Sequence, residues 1–275
     1  MSTRAPQPTA RPDFHRESRR NQWRAAAILA AFAAVIVLIG AAVVLAAGLG
    51  LVGVVVVVVL VAGLAGFAYA RSDAVTLALA RARPADGPSV ERYHNVVEGL
   101  CIAAGLPKPR LYVVDDEAPN AFTTGRNPKH AALAVTTGLL EKLNRVELEG
   151  VVAHELCHIK SYDVLPSTVA VVAIGPLAVL LAPVGWPLLQ LATSPDRELH
   201  ADAAGVQLTR YPPGLASALR KLRADPAVVR HASRATAPMW IEAPVERGPE
   251  PGSRRTRASD LQPPLDQRIK VLESM

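Results

Sequence analysis

The chain has 275 residues, half of them hydrophobic and only 4% aromatic, with a formal net charge of +6. That length holds one catalytic domain together with membrane segments and excludes two large soluble domains. Ala, Val and Leu carry the apolar content, which sets the chain apart from an ordinary soluble enzyme.

Residues 1–24 are rich in Pro and Arg, with six arginines against Asp13 and Glu17. Such a segment builds no core and reads as a flexible basic tail. Directly before an apolar stretch, it serves as an orientation signal, and no nucleic-acid partner is expected. From Ala25 to Ala70 there is no charged residue in 46 positions. A bilayer core needs about 20 apolar residues per helix. The pattern therefore predicts a transmembrane hairpin at 25–70, with spans near 25–46 and 51–70 and a turn among Gly48, Gly50 and Gly53. Trp23 and Tyr69 sit at the outer ends, where aromatic anchors are favoured. The apolar length is too great for a cleaved signal peptide. Arg71, Arg81 and Arg83 follow the second span, whereas the turn is uncharged. The positive-inside rule then makes this a multi-pass protein of the cell membrane, with both ends in the cytoplasm.

Beyond residue 85 the spacing predicts a helix over Ser89–Ala104, broken by Pro107 and Pro109. Short strands follow at Leu111–Val114 and Ala131–Val135, and a short helix begins at Thr137. Asn144 with Glu147 three residues later forms a capping-box pattern that opens the next helix. That helix carries His154-Glu155-Leu156-Cys157-His158. At about 100° per residue, the two histidines lie one turn apart on one face. They can fill two corners of a zinc tetrahedron, with Glu155 beside them as the catalytic carboxylate. The apolar flanks (Val151, Val152, Ala153, Leu156, Ile159) bury this helix, and buried polar groups need a partner. Cys157 reads as a small packing residue, and with Cys101 it suits a reducing compartment. Asp163 is expected to point elsewhere, in the C-terminal turn.

A third ligand is expected at Glu198. Ser194-Pro195-Asp196 is a strong helix start, and Glu198 and Asp202 then share a face. Asp202 can accept a hydrogen bond from the far nitrogen of a ligating histidine. His200 lies well around the helix and is left out. Between the two helices, Val164–Pro195 is uncharged over 32 residues. One crossing would separate His154 from Glu198, and two need about 40 residues. A short membrane-associated hairpin at 164–195 is therefore expected. Pro212–Arg223 forms a basic helix, 225–260 reads as a flexible excursion, and a last helix including Arg268 and Ile269 follows Pro263-Pro264.

Four motifs occur in order: Asn120-Ala121-Phe122-Thr123-Thr124-Gly125, Ala134-Val135-Thr136-Thr137-Gly138-Leu139-Leu140, the His154–His158 pentapeptide, and Arg197-Glu198-x-x-x-Asp202-x-x-Gly205. Together they resemble the HtpX-type membrane zinc metalloproteases, relatives of the CAAX prenyl endopeptidases. The resemblance implies one Zn2+ per chain at His154, His158 and Glu198, with Glu155 catalytic and the site built against a membrane. It further implies that Asn120 and Phe122 line the cleft and that the substrates are membrane or unfolded polypeptides, cleaved in quality control. Where relatives carry His-Pro-Pro, this chain has Gln262-Pro263-Pro264, and Gln is a poor zinc ligand.

The expected fold is α+β and mainly helical: a zincin-like metalloprotease domain over 85–275 behind a transmembrane helical hairpin. Two other readings compete. One is a CAAX-type processing protease; the other is a non-catalytic membrane scaffold with a structural metal site. Structural sites tend to fill all four positions with Cys or His, whereas this one offers three ligands and a base.

Overall fold

The computed structural model describes residues 14–169, 195–230, 232, 236–244 and 262–275, with side chains from Ser18 and, in the second stretch, from Arg197. The uncharged N-terminal run forms two helices packed side by side, α1 (Phe14–Ala46) and α2 (Gly50–Leu79). Their most apolar windows have mean hydropathies of 3.0 and 2.9 and are left uncovered by the rest of the protein. Each is long and apolar enough to cross a membrane. Gly48 and Gly50 in the turn take φ values of +75° and +60°, a region that side chains resist. At Gly40 an added Cβ would lie 2.7 Å from Val57 Cγ1, so its absence lets the helices approach.

Two boundaries differ from expectation. The flexible tail expected over 1–24 is helical from Phe14, because its second half docks. Asn21 Nδ2 donates to Ser161 O at 3.1 Å, and Ala25 is buried against Leu165 and Val169. At the other end α2 continues past residue 70 to Leu79, burying Asp73, Thr76 and Leu77. Asp73 pairs there with Arg110. The membrane helix therefore runs without a break into the soluble part.

That part is a four-stranded sheet covered by helices. Its strands are β1 (Arg83–Pro84), β2 (Arg110–Val114), β3 (Ala121–Gly125) and β4 (Ala131–Thr136), in the order β1-β2-β4-β3. β2 and β4 are parallel, and the other two pairs are antiparallel. β3 is an edge strand and contains the Asn-Ala-Phe motif. The helices are α3 (Glu91–Ala104), α4 (Thr137–Lys142), α5 (Arg145–Ser161), α6 (Pro195–Thr209), α7 (Pro212–Ala224) and α8 (Leu265–Glu273). Strand alternation splits the core. Leu133 and Val135 pack with Tyr93, Leu156, Leu219 and Ile269, whereas Phe122, Ala132 and Ala134 pack with Leu77 and Trp240 on the other face.

The expected flexible excursion at 225–260 is corrected over its middle. Residues 236–244 lie in the core: Trp240 is buried against Phe122, with ring centroids 4.6 Å apart. Ile241 N donates to Ala121 O at 2.9 Å. Apolar Met239-Trp240-Ile241 inside a polar stretch was the signal for this. Of the hairpin expected at 164–195, residues 170–194 lie outside the described residues, and 164–169 are helical.

α5 is set by its cap. Asn144 Oδ1 accepts from Glu147 N, and Glu147 Oε2 accepts from Asn144 N, both at 2.9 Å. Glu147 also accepts from Ser217 Oγ and Lys221 Nζ at 2.7 Å, which ties the cap to α7. Burial pushes its carboxyl pKa up, but Lys221, Ser217 and the Asn144 N–H outweigh this and hold it below the ordinary value. Stability from a depressed carboxyl is present above its unfolded pKa of about 4.3 and is lost as pH falls through the lower folded value. Glu147→Gln should therefore cost about 1 kcal/mol at pH 7. Thermal unfolding of the detergent-solubilised protein should show that gap closing below about pH 4.

Candidate metal centre

α5 passes through the interior with Val151, Val152, Ala153 and Leu156 fully buried, so its two histidines point into protein rather than water. His154 Nε2 and His158 Nε2 face each other at 3.0 Å. Glu198 on α6 brings Oε2 to 3.4 Å from His154 Nε2 and Oε1 to 3.8 Å from His158 Nε2. Four donors at about 2.0–2.1 Å around a tetrahedral ion lie roughly 3.3 Å apart. The three separations bracket that value, and one ligand atom from each residue falls within 4.8 Å of the others. Glu198 reaches the site because α6 lies close on α5. A Cβ on Gly205 would stand 3.0 Å from His154 N, and Ala201 and Ala204 pack on Cys157.

Each imidazole is oriented from behind. His154 Nδ1 lies 2.9 Å from Asp202 Oδ1, and His158 Nδ1 lies 2.8 Å from Asp163 Oδ2. These carboxylates favour the Nδ1–H tautomer, which turns both Nε2 lone pairs towards the common centre. Two such lone pairs at 3.0 Å repel unless a proton or a metal cation lies between them. The Asp163 contact corrects the sequence expectation. α5 ends at Ser161, and Tyr162 takes a left-handed φ of +58°, which folds Asp163 back under His158. Extrapolating the helical period past the helix end had sent it elsewhere.

The carboxylates are held by two buried guanidiniums. Arg268 of α8 donates from Nε and Nη2 to Asp202 at 2.8 and 2.7 Å and lies 3.4 Å from Glu198 Oε2. Arg197 Nε donates to Glu198 Oε1 at 3.0 Å. Burial opposes the charge on each, but the neighbouring carboxylates outweigh it and raise both pKa values. For Glu198, burial pushes the pKa up, yet His158, His154 and the two arginines hold it well below the usual range. For His154, burial lowers the pKa, but Asp202 and Glu198 carry it up to about 9. The same field that holds a proton so firmly attracts a metal cation. Glu198 Oε2 is buried without a hydrogen-bond partner, as an oxygen reserved for an ion would be.

Glu155 is buried beside this group and accepts from Thr123 Oγ1 at 2.9 Å; burial pushes its carboxyl up. Thr123, the residue after the expected cleft residue Phe122, is thus the β3 side chain that meets the site. Phe122 points to the opposite face, under Trp240. Asn120 instead bonds Glu242 O at 2.8 Å. His200 is exposed, away from the centre. Burial pushes the Cys157 thiol up to about 12, which keeps it protonated and a poor ligand. Gln262 bonds no group of the centre. It accepts from Ala243 N and donates to Trp240 O at 3.1 and 2.7 Å, pinning the buried segment. Arg268 had no role assigned from sequence. The signal was a charge on the face shared by Leu265, Ile269 and Leu272.

A helix-borne His-Glu-x-x-His group with a carboxylate from a second helix, behind two apolar helices, defines a membrane-bound metallopeptidase. The profile of Peptidase family M48 matches residues 89–275, and the chain belongs to that family. Among its relatives is the Protease HtpX homolog of Dictyoglomus thermophilum, 40% identical over 240 residues that cover 76% of this chain and 77% of that protein. The Protease HtpX homolog of Tropheryma whipplei strain Twist is 39% identical over 245 residues, covering 78% and 82%. That of Caldanaerobacter subterraneus subsp. tengcongensis is 38% identical over 245 residues, covering 76% and 80%.

Asp163→Asn should weaken metal binding about 10- to 100-fold with the fold retained. Chelator competition at fixed pH measures this, and unchanged affinity would remove Asp163 from the site.

Proposed function

We propose that the chain is a zinc endopeptidase holding one Zn2+ through His154, His158 and Glu198, with Glu155 as its general base and acid. The observation that carries this reading is the trio of converging donor atoms beside a fourth, non-ligating carboxylate. A bound zinc ion supplies Lewis acidity, polarising the scissile carbonyl and acidifying water at the site. Glu155 takes the proton from the attacking water and passes it to the leaving nitrogen. Thr123 Oγ1 fixes the orientation of that carboxylate, and Asp202 and Asp163 fix the two imidazoles.

The peptide is held by the sheet edge. Ala121 O is taken by Ile241 N, and Gly125 N by Thr168 Oγ1 at 3.3 Å. In the antiparallel pairing of β3 with β4, alternate residues turn their backbone groups the same way. Thr123 therefore turns its backbone to that outer edge, where the antiparallel bridge between Phe122 and Trp240 engages its N–H and leaves its C=O for a substrate. An extended substrate pairing its backbone there lies directly over Glu155. This moves the cleft from Asn120 and Phe122 to Thr123, the residue after Phe122, whose side chain lies on the other face. Backbone pairing reads any extended chain, which favours unfolded segments and a role in quality control of membrane or misfolded proteins. The two helices cross the cell membrane, and their basic outer ends keep the catalytic part in the cytoplasm.

Glu155→Gln should retain one zinc per chain by elemental analysis while cleavage of reduced casein falls about 100- to 10,000-fold. His154→Ala and Glu198→Ala should lose the metal. Chelation should stop cleavage by the native protein and zinc should restore it. A Glu155→Gln protein that still cleaves sinks the assignment.

A further inference from the structure

A cavity of about 770 Å3 opens where the apolar helices meet the soluble part, bounded by Gln22 and Leu29 of α1, Tyr69 of α2, the β3–β4 turn at Arg126 and Lys129, and Leu165. Its height in the bilayer follows from helix geometry. At about 1.5 Å per residue, Leu29 lies roughly 25 Å from the Ala46 end of α1 and Gln22 roughly 36 Å, while Tyr69 lies roughly 29 Å from Gly50. A hydrocarbon layer is about 30 Å thick. Leu29 is thus inside it, Tyr69 at its boundary and Gln22 in the headgroup zone, so the cavity straddles the boundary. Arg126 is tied to that level by donating from Nη1 to Ala70 O. Among the described residues neither Arg126 nor Lys129 is paired with a carboxylate.

Two unpaired cations above an apolar wall match one kind of occupant, an amphiphile with an anionic head. A soluble anion would leave the Leu29 and Leu165 wall uncovered, and a neutral lipid would leave both charges unanswered. We propose that this cavity binds an anionic phospholipid, its phosphate-bearing headgroup between Arg126 and Lys129 and an acyl chain running along Leu29 and Leu165. The volume accommodates a headgroup and the first part of a chain, within the range of small-molecule sites. The remainder of the lipid lies in the bilayer. Arg126 directly follows Gly125, the last residue of β3, so the headgroup braces the end of the edge strand proposed to hold substrate. The proposal rests on the membrane crossing inferred above and not on catalysis, and its test reads lipid rather than cleavage.

The test is native mass spectrometry of the intact protein in detergent, titrated with dioleoylphosphatidylglycerol, dioleoylphosphatidylcholine or inorganic phosphate. One phosphatidylglycerol should remain bound at concentrations where phosphatidylcholine is lost, and millimolar phosphate should not displace it. Arg126→Gln and Lys129→Gln should each weaken it about fivefold. Leu29→Trp, which narrows the cavity without changing charge, should also weaken it. Arg81→Gln/Arg83→Gln, which removes charge elsewhere, should leave it unchanged. Zinc content reports that each variant is folded. Equal retention of both lipids, displacement by phosphate, or equal losses in the Arg81/Arg83 and Arg126/Lys129 variants would each overturn the proposal.

Discussion

Among the described residues, the interior of this protein is organised around a surplus of buried acidic groups. Glu155, Glu198, Asp202 and Asp163 meet within one buried region, where Arg197 and Arg268 are the cations that touch them. Four carboxyl groups stand against two guanidiniums there, an acidic surplus that draws a cation to the buried centre. The gap between the three ligand atoms has the size a tetrahedral ion needs.

The two arginines do more than balance charge. Arg268 Nη1 donates to Ile241 O and Arg197 Nη2 to Pro238 O, at 2.8 and 2.7 Å. The guanidiniums that hold the metal carboxylates therefore also hold the segment lying across the edge of β3. Gln262 adds its bonds to the same segment. It is an amide that can donate and accept at once, as its two neighbours Ala243 N and Trp240 O require. The ligand helix, the last helix and the covered part of the sheet edge thus form one connected hydrogen-bonded unit.

What the sequence revealed follows from the range of each interaction. The cap at Asn144, the one-turn spacing of the histidines and the helix start before Glu198 are local patterns, so each was legible from a few neighbouring residues. The apolar runs were legible because length alone separates them from core helices. Asp163 was missed because it depends on one left-handed residue after a helix end, which a periodic reading cannot foresee. Arg268 was missed because its partner Asp202 lies 66 positions away in the chain, and no local pattern reports such a pair. Of the expected cleft residues, Phe122 lies a single step from Thr123, the side chain that meets Glu155. In a strand, one residue separates the two faces, and naming Asn120 and Phe122 chose the face that packs on Trp240. The tail and the segment around Trp240 were read from composition, which reports average solvation but not where a short apolar stretch docks.

The same long-range contacts set where the site stands relative to the bilayer. The beginning of α1 is fastened to the end of α5 through Asn21 and Ser161, one turn from His158. The end of α2 places Leu77 in the cluster that contains Phe122 and Trp240, beneath the edge strand. The two outer ends of the apolar hairpin are thus attached separately to the two elements that make the site, the metal helix and β3. A hinge at either junction would need to break buried contacts, and α2 offers none, because it is continuous from Gly50 to Leu79. The height of Thr123 above the membrane is therefore set by the helices themselves. Both basic side chains of the β3–β4 turn, Arg126 and Lys129, lie beside the outer end of the hairpin, just past the last residue of β3.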